Sequence, residues 1–166
     1  ISFFFFFIIN NAHEVLQDKI ETLKTDYTNS QKELIKNDVN SVINFITYYD
    51  NKYKKIKSTE QIKKEVLEAL TQIRPFDNVN EYLFIYDFNG INLYQPISKD
   101  KIGEKYFDLT DSAGRKVIKE LIDISKQGNG GYVEYFWYKL DIFKNTKKLS
   151  YSNSYKNWNW AIGKGV

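Results

Sequence analysis

The sequence contains no cysteine and no methionine, and it has one histidine and two prolines among 166 residues. The lack of cysteine excludes disulfides, thiolate metal sites and cysteine nucleophiles, although it leaves the cellular compartment open. The single histidine, His13, excludes a metal site built from several histidines. Because methionine is absent altogether, including an initiator, we expect a processed chain or a fragment of a longer protein.

A strong excess of one charge is also missing, since 24 basic and 21 acidic residues leave a net charge of +3. The lysines are scattered among acids and form no basic stripe, which argues against a nucleic-acid surface. Apolar residues make up 42% of the chain and aromatic residues 17%, which argues against disorder. The length suits one domain with a real core.

The first nine residues, Ile1 to Ile9, carry no charge and include five consecutive phenylalanines. This run is about half of the roughly 20 apolar residues that a membrane-spanning helix needs. We expect residues 1–13 to be the end of a transmembrane or signal-anchor segment at the inner membrane, with the chain that follows in the periplasm. A buried core strand is the alternative, and it would need complete burial at a chain terminus.

The stretch from residue 14 to residue 56 has no proline or glycine, and its apolar residues recur every three or four positions. This spacing predicts one long amphipathic helix over 14–56, or two helices with a change of register near Leu34. The same spacing suits a coiled-coil seam in a homodimer and equally suits packing on the protein's own sheet. Both alternatives stay open from the sequence.

A second helix is predicted over 58–74. Ser58 and Gln61 form a capping box at its start, in which each side chain bonds the backbone N–H of the other residue. Pro75 ends the helix at Arg74 or just before it, because proline disfavours helical geometry in the preceding residue.

Residues 81–166 are predicted to form a sheet with one short helix. In residues 81–95, two aromatic-rich runs are joined at Asn89 and Gly90, which is typical of a β-hairpin. Asp111 or Ser112 is predicted to cap the short helix, and the glycine-rich segment 128–131 ends it. Three more strands are predicted, over 132–138, 148–155 and 160–166. The predicted fold is therefore α+β, with a long N-terminal helix packed on a roughly five-stranded antiparallel sheet.

Six segments, in this order and spacing, resemble a known family. They are IRPF at 73–76, YLFIYDFNGINLYQP at 82–96, GEKYFDLTDSAGRKVIKELI at 103–122, GYVEYFWYK at 131–139, KLSY at 148–151 and WNWAIGKGV at 158–166. They resemble the Cache superfamily, the PAS-like sensor domains of bacterial chemoreceptors, histidine kinases and diguanylate cyclases, in its single-Cache type and some double-Cache receptors. The resemblance implies that residues 14–166 form one Cache sensor domain.

The chain departs from the family pattern at three places. Gln95 stands where the family has histidine before proline, Tyr138 stands where it has proline, and the segment 49–58 is shorter than in members with a longer helical insert. The fold expectation survives these differences, whereas the change at Gln95 leads us to expect an altered ligand or affinity.

The resemblance implies a small pocket for a short carboxylate such as acetate, propionate or pyruvate, without a cofactor or a metal. Such a ligand needs a cation or several donors for its carboxylate and an apolar wall for its tail. Arg74 and Lys148 are the candidate cations, although either could instead lie at the surface. The remaining candidate ligand-binding residues are Tyr82, Phe84, Gln95, Tyr135, Trp137 and Tyr151.

These aromatic side chains have an ordinary alternative role in core packing. Tyr82 and Phe84 share one face of a predicted strand, and Tyr135 and Trp137 share one face of another. Tyr151 has the opposite parity to Lys148, so the two can face one pocket only if a bulge intervenes, and we rank Tyr151 lower.

Enzymatic function is not predicted, because no nucleophile and base pair is visible. The acids Asp87, Asp108 and Asp111 each lie beside a turn or a helix cap that explains them. We therefore expect the ligand-sensing domain of a transmembrane signalling receptor, which binds a small organic acid and is attached to the membrane through its N-terminal segment. The alternative is a membrane-anchored, pilin-like or adhesion subunit whose long helix drives assembly.

Overall fold

The computed structural model describes residues 2–72, 80–139 and 144–166. The chain divides into two compact units, residues 1–34 and residues 35–166. Within these described residues, the second unit contains the end of a first helix, two further helices and a five-stranded sheet, and this α+β architecture confirms the prediction. A short 3₁₀ turn, Lys99–Lys101, precedes the last helix, and another, Lys156–Trp158, connects the last two strands of the sheet.

The first helix, α1, spans Ser2–Tyr53 as one continuous element, so the predicted change of register does not interrupt it. Residues 2–9 of the apolar run are helical, which excludes the core-strand alternative for them. In the second unit Ile35, Val39 and Ile46 are buried against the sheet. Among the described residues, no helix combines the length and the apolarity needed to cross a membrane.

The second helix, α2, spans Thr59–Gln72 and begins with the predicted capping box. The backbone N–H of Ser58 donates to Gln61 Oε1 at 3.0 Å, and the N–H of Gln61 donates to Ser58 Oγ at 3.3 Å. Such a box satisfies two N–H groups that would otherwise have no helical partner. The predicted end at residue 74 lies outside the described residues.

The sheet consists of five antiparallel strands in the order β2-β1-β5-β4-β3. The strands are β1 (Tyr82–Asp87), β2 (Asn92–Tyr94), β3 (Gly131–Lys139), β4 (Lys144–Tyr155) and β5 (Trp160–Gly165). The strand β4 begins four residues before the prediction, because the polar residues from Lys144 onward continue the pairing with β3 as far as Lys139. The prediction missed this extension of the hairpin because residues 144–147 are polar.

The predicted turn at Asn89 and Gly90 joins β1 to β2. The Asp87 carboxylate accepts hydrogen bonds from the backbone N–H groups of Asn89 and Ile91, at 2.9 and 2.8 Å. Gly90 has a φ of +84°, and a side chain there would overlap Phe107. Glycine is thus required twice over at this position, by conformation and by space.

The predicted cap of the short helix is wrong. The helix, α3, spans Val117–Lys126 and is preceded by Lys116, which makes no side-chain capping bond. Asp111 instead organises the loop before it: Oδ1 accepts from the N–H groups of Ala113 and Arg115, and Oδ2 accepts from Phe136 of β3 at 3.1 Å. Asp111 therefore holds a turn against the sheet, six residues before the helix begins.

The two faces of the sheet bury separate clusters. On the α1/α2 face, the helices pack on Leu83, Ile85 and Ile162. On the α3 face, α3 packs on the alternate residues of the same strands, including Tyr82, Phe84 and Tyr135. Because successive strand residues point to opposite faces, each strand contributes to both clusters.

Candidate functional site

Strand alternation brings five of the predicted ligand residues to the α3 face. Tyr82 and Phe84 come from β1, Tyr135 and Trp137 from β3, and Lys148 from β4 beside Tyr135 in the β3–β4 register. Both tyrosines and Phe84 are buried. The predicted grouping of aromatic walls around a cation is therefore present in the structure, and the ligand-binding role of these residues stays a prediction.

Lys148 is buried, with 3% of its surface exposed. Its ammonium group donates to the backbone carbonyl of Asn80 at 2.9 Å and lies 3.9 Å from the centre of the Tyr82 ring. A buried ammonium is costly unless it is paired and hydrogen-bonded, and the face of an aromatic ring attracts a cation. Lys148 thus belongs to the interior of the α3 face and is not a surface lysine.

The strand β5 makes room for these side chains because its residues on the α3 face are small. A Cβ atom on Gly163 would overlap the Phe84 ring, and one on Gly165 would overlap Lys148 and Ser150. Ala161 is the third residue of this row. The alternation of large and small residues in WAIGKG could have revealed this row from the sequence.

Gln95 lies buried in the same region, beside the hydroxyl of Tyr82. Its Oε1 accepts a hydrogen bond from Asn92 Nδ2 at 2.9 Å. Burial raises the pKa of Tyr82 to about 12, and side-chain hydrogen bonding with Trp137 and Gln95 offsets only part of that rise. The Tyr82 phenol is therefore neutral at physiological pH and available as a donor.

A hydroxyl pair stands next to Lys148. The hydroxyl of Tyr135 is 2.8 Å from Ser150 Oγ, and both residues are buried. Burial raises the pKa of Tyr135 above its ordinary value, so this phenol also stays neutral. Ser150 was not among the predicted residues, although its position two residues after Lys148 on one strand places both on one face.

Tyr151 does not share this site. It lies on the α1/α2 face, in contact with the Tyr132 ring, and its hydroxyl donates to the carbonyl of Asn129 at 2.7 Å. No bulge interrupts β4 between Lys148 and Tyr151, so their opposite parity is retained. Arg74, the other predicted cation, lies outside the described residues.

Polar contacts join the opposite face of the sheet to α1. Lys164 donates to Asp38 at 2.6 Å, and Tyr155 donates to the buried Asp50 at 2.6 Å. Lys164 lies on β5 between Gly163 and Gly165, and these two glycines lie against the site residues Phe84 and Lys148 on the α3 face. These polar contacts with α1 could not be predicted from the sequence, because the partners are more than 100 residues apart in the chain.

A separate groove of about 740 Å³ runs between α2 and the turn of the β1–β2 hairpin. Leu67, Phe88, Trp158 and Trp160 contribute its apolar lining. None of the predicted ligand residues that the structure describes lines it. Asp87, which borders the groove, already binds backbone N–H groups of the turn.

Comparisons with known proteins bear on both fold and function. A family model described as a Cache domain matches residues 8–166. The sensor histidine kinase MctS of Rhizobium johnstonii is 32% identical over 161 residues, which are 96% of this chain. The chain spans 34% of the length of that relative.

Two solved structures share the fold. A methyl-accepting chemotaxis protein from Vibrio parahaemolyticus has a TM-score of 0.71 at 28% identity, with 86% of this chain and 91% of that chain covered. A Cache chemosensory domain described for its recognition of carboxylic acids has a TM-score of 0.74, with 85% of this chain and 95% of that chain covered. Its identity of 23% supports likeness of fold alone.

Proposed function

Because this chain belongs to the Cache family of sensor domains, we propose that it is the extracytoplasmic ligand-sensing domain of a bacterial transmembrane signalling receptor. The relatives with matching domains are a sensor histidine kinase and a chemotaxis protein, which supports a role in signal transduction. In this proposal residues 1–13 lie next to the inner membrane and residues 14–166 lie in the periplasm. A binding module, and not an enzyme, fits this role.

The ligand that we propose is a short carboxylate such as acetate, propionate or pyruvate. The observation that supports it most directly is the buried ammonium of Lys148 among neutral hydroxyl groups on the α3 face. An ammonium supplies the charge for one carboxylate, the hydroxyl of Tyr82 supplies a donor, and Phe84 and Trp137 supply an apolar wall. We keep Arg74 as a proposed second cation and leave Tyr151 out of the site.

Signalling requires that the ligand bind one state of the receptor more tightly than the other. Strand β5 is placed to carry this difference, since Gly163 and Gly165 contact site residues and Lys164 between them binds Asp38 of α1. A small movement of β5 on ligand binding would therefore reach the long helix directly. The Tyr155–Asp50 contact gives β4 a similar link.

We also propose that the chain forms a parallel homodimer through the first part of α1. Positions at alternating spacings of three and four make up what we call the α1 seam: it is apolar or aromatic at 6, 9, 16, 20, 23, 27 and 34, and has His13 and Ser30 at its other two positions. Leu16, Leu23 and Tyr27 are 54%, 60% and 67% exposed. A heptad repeat that is apolar at most of its positions is suited to pairing with a second copy of the same helix.

The carboxylate proposal is tested by a thermal-shift screen of short organic acids. A binder at 100 times its dissociation constant adds about 2.7 kcal/mol of apparent stability. We expect Lys148→Met to abolish the shift, because it removes the charge and keeps an apolar stem. The exposed neighbour Lys147 provides the matched control, Lys147→Met, which should bind normally.

The unliganded melting temperature of each variant shows whether it is folded. Unchanged affinity in a folded Lys148→Met variant would exclude Lys148 from the site. The absence of a shift with every acid in the wild-type chain would overturn the carboxylate proposal itself.

A further inference from the structure

On the premise that the site binds carboxylates as proposed above, we propose that Ser150 is a specificity-determining residue. Together with Tyr135 it forms a hydroxyl arm beside Lys148 that selects acids with an oxygen atom on the carbon next to the carboxylate. The ligand class is then the short 2-oxo and 2-hydroxy acids, in preference to plain fatty acids of the same length.

The position of Ser150 is the first reason. It is fully buried on the α3 face, and Tyr135 lies opposite Lys148 across the β3–β4 pair. A Cβ atom on Gly165 would overlap both the Lys148 stem and Ser150 Oγ, so these two side chains are neighbours over one glycine. A group bound by the Lys148 ammonium therefore has the hydroxyl arm within reach of its adjacent carbon.

The count of hydroxyl protons is the second reason. Tyr135 and Ser150 together carry two O–H donors, and the 2.8 Å bond between them uses one. Within the described part of the chain, neither hydroxyl makes a second hydrogen bond that would use the other proton. Because burial raises the pKa of Tyr135, the phenol keeps its proton and both hydroxyl groups remain donors. One buried donor is thus left for a bound acceptor.

The energetic consequence is a preference between ligands of equal size. A buried donor that loses its water and gains no acceptor costs free energy, whereas a donor that meets an acceptor contributes stability. Propionate offers only methylene and methyl groups beyond its carboxylate. Lactate and pyruvate place an oxygen atom on the adjacent carbon, where the hydroxyl arm can donate to it. Sites built to hydrogen-bond a ligand oxygen discriminate strongly against analogues that lack it.

The experiment measures the affinity of the 166-residue chain for propionate, lactate and pyruvate by isothermal titration calorimetry. We expect lactate and pyruvate to bind about tenfold more tightly than propionate, as one net hydrogen bond to a buried donor allows. Ser150→Ala should reduce this ratio of affinities to within about twofold, because it weakens the binding of lactate and pyruvate and leaves the binding of propionate nearly unchanged. A loss of packing would instead weaken the binding of all three acids to a similar extent.

Tyr135→Phe is the second variant, since it removes the other hydroxyl and keeps the ring. We expect it to reduce the same ratio, so the test does not depend on the folding of one variant. Equal binding of the three acids by the wild-type chain, or a ratio that persists in both variants, would overturn the role of Ser150 and leave the carboxylate site standing. If none of the acids binds the wild-type chain, both the carboxylate site and the role of Ser150 are wrong.

Discussion

Gln95 is the proposed site residue at which this chain departs from the pattern of the family, which has histidine there. The structure buries Gln95 beside Tyr82 and uses its carbonyl oxygen to accept from Asn92. An amide donates and accepts hydrogen bonds but carries no charge at any physiological pH. The environment that we propose for the ligand therefore contains neutral hydroxyls, a neutral amide and the ammonium group of Lys148.

Replacing Gln95 with histidine should make ligand binding depend on pH. Short carboxylic acids remain ionised above about pH 6, so wild-type affinity should be flat from about pH 6 to 8. In Gln95→His, protonation adds a positive charge near the carboxylate, and affinity should be several-fold tighter at about pH 6 than at about pH 8. Calorimetry at both pH values checks this. A flat profile in the variant would place residue 95 away from the ligand.

At the scale of elements, the carboxylate of Asp111 holds the loop before α3 in place by hydrogen bonds. Burial by itself would raise the pKa of Asp111, but hydrogen bonds from the backbone N–H groups of Arg115, Phe136 and Ala113 outweigh it and hold the pKa below its ordinary value. Arg115 extends the same arrangement by contacting Glu120 of α3 and the carbonyl of Glu134. The loop is thus tied to both the helix and the sheet.

Asp111→Asn should destabilise the protein in a pH-dependent way. Asparagine retains one accepting oxygen for the turn, but its amide nitrogen cannot accept from Phe136, so the free energy of unfolding should fall by about 1 kcal/mol at neutral pH. Because the folded-state pKa is depressed, the stabilisation is present above about pH 3.8, the ordinary value, and is lost as the pH falls further. The difference between wild type and variant should therefore shrink in acid.

Chemical denaturation at a series of pH values measures this difference. The exposed neighbour Ser112 provides a control, since Ser112→Ala removes no charge and should leave the pH dependence unchanged. A constant difference at all pH values would show that the Asp111 charge does not contribute.

At the scale of the whole molecule, α1 packs on the protein's own sheet, which is one of the two alternatives that its spacing left open, and the homodimer stays a proposal. Its later apolar residues, Ile35, Val39 and Ile46, pack on the sheet of the second unit. Its earlier ones, including Leu16 and Leu23, are exposed within one chain. The same helix therefore serves the core over one part and offers the α1 seam over another. Membership of a sensor family supports a signalling role for this arrangement over a pilin-like subunit.

A single introduced cysteine can test the dimer, because the chain has none of its own. In a parallel coiled coil, Leu23→Cys on the α1 seam faces its copy and should form a disulfide on mild oxidation. Thr25→Cys lies on the opposite side of the helix and should remain largely monomeric on a non-reducing gel. Equal cross-linking at the two positions would indicate that the α1 seam is not the interface.

The sequence alone determined the types of the main elements and most of their bounds. Local signals were sufficient for the capping box at Ser58, the turn at Gly90 and the alternation that puts Tyr82 with Phe84 and Tyr135 with Trp137. These features depend on residues within a few positions of one another, where backbone sterics and hydrogen bonding act directly. The inward placement of Lys148 was predicted as one of two alternatives.

Only the tertiary structure decided which distant residues meet. Three hydrogen bonds join residues that are 15 to 126 positions apart in the chain. They link Tyr135 with Ser150, Lys164 with Asp38, and the backbone N–H of Phe136 in β3 with Asp111. Such contacts follow from strand order and register, which local patterns do not specify. For that reason the shared face of the aromatic residues in the proposed site could be predicted from the sequence, whereas its hydroxyl arm and its link to α1 could not.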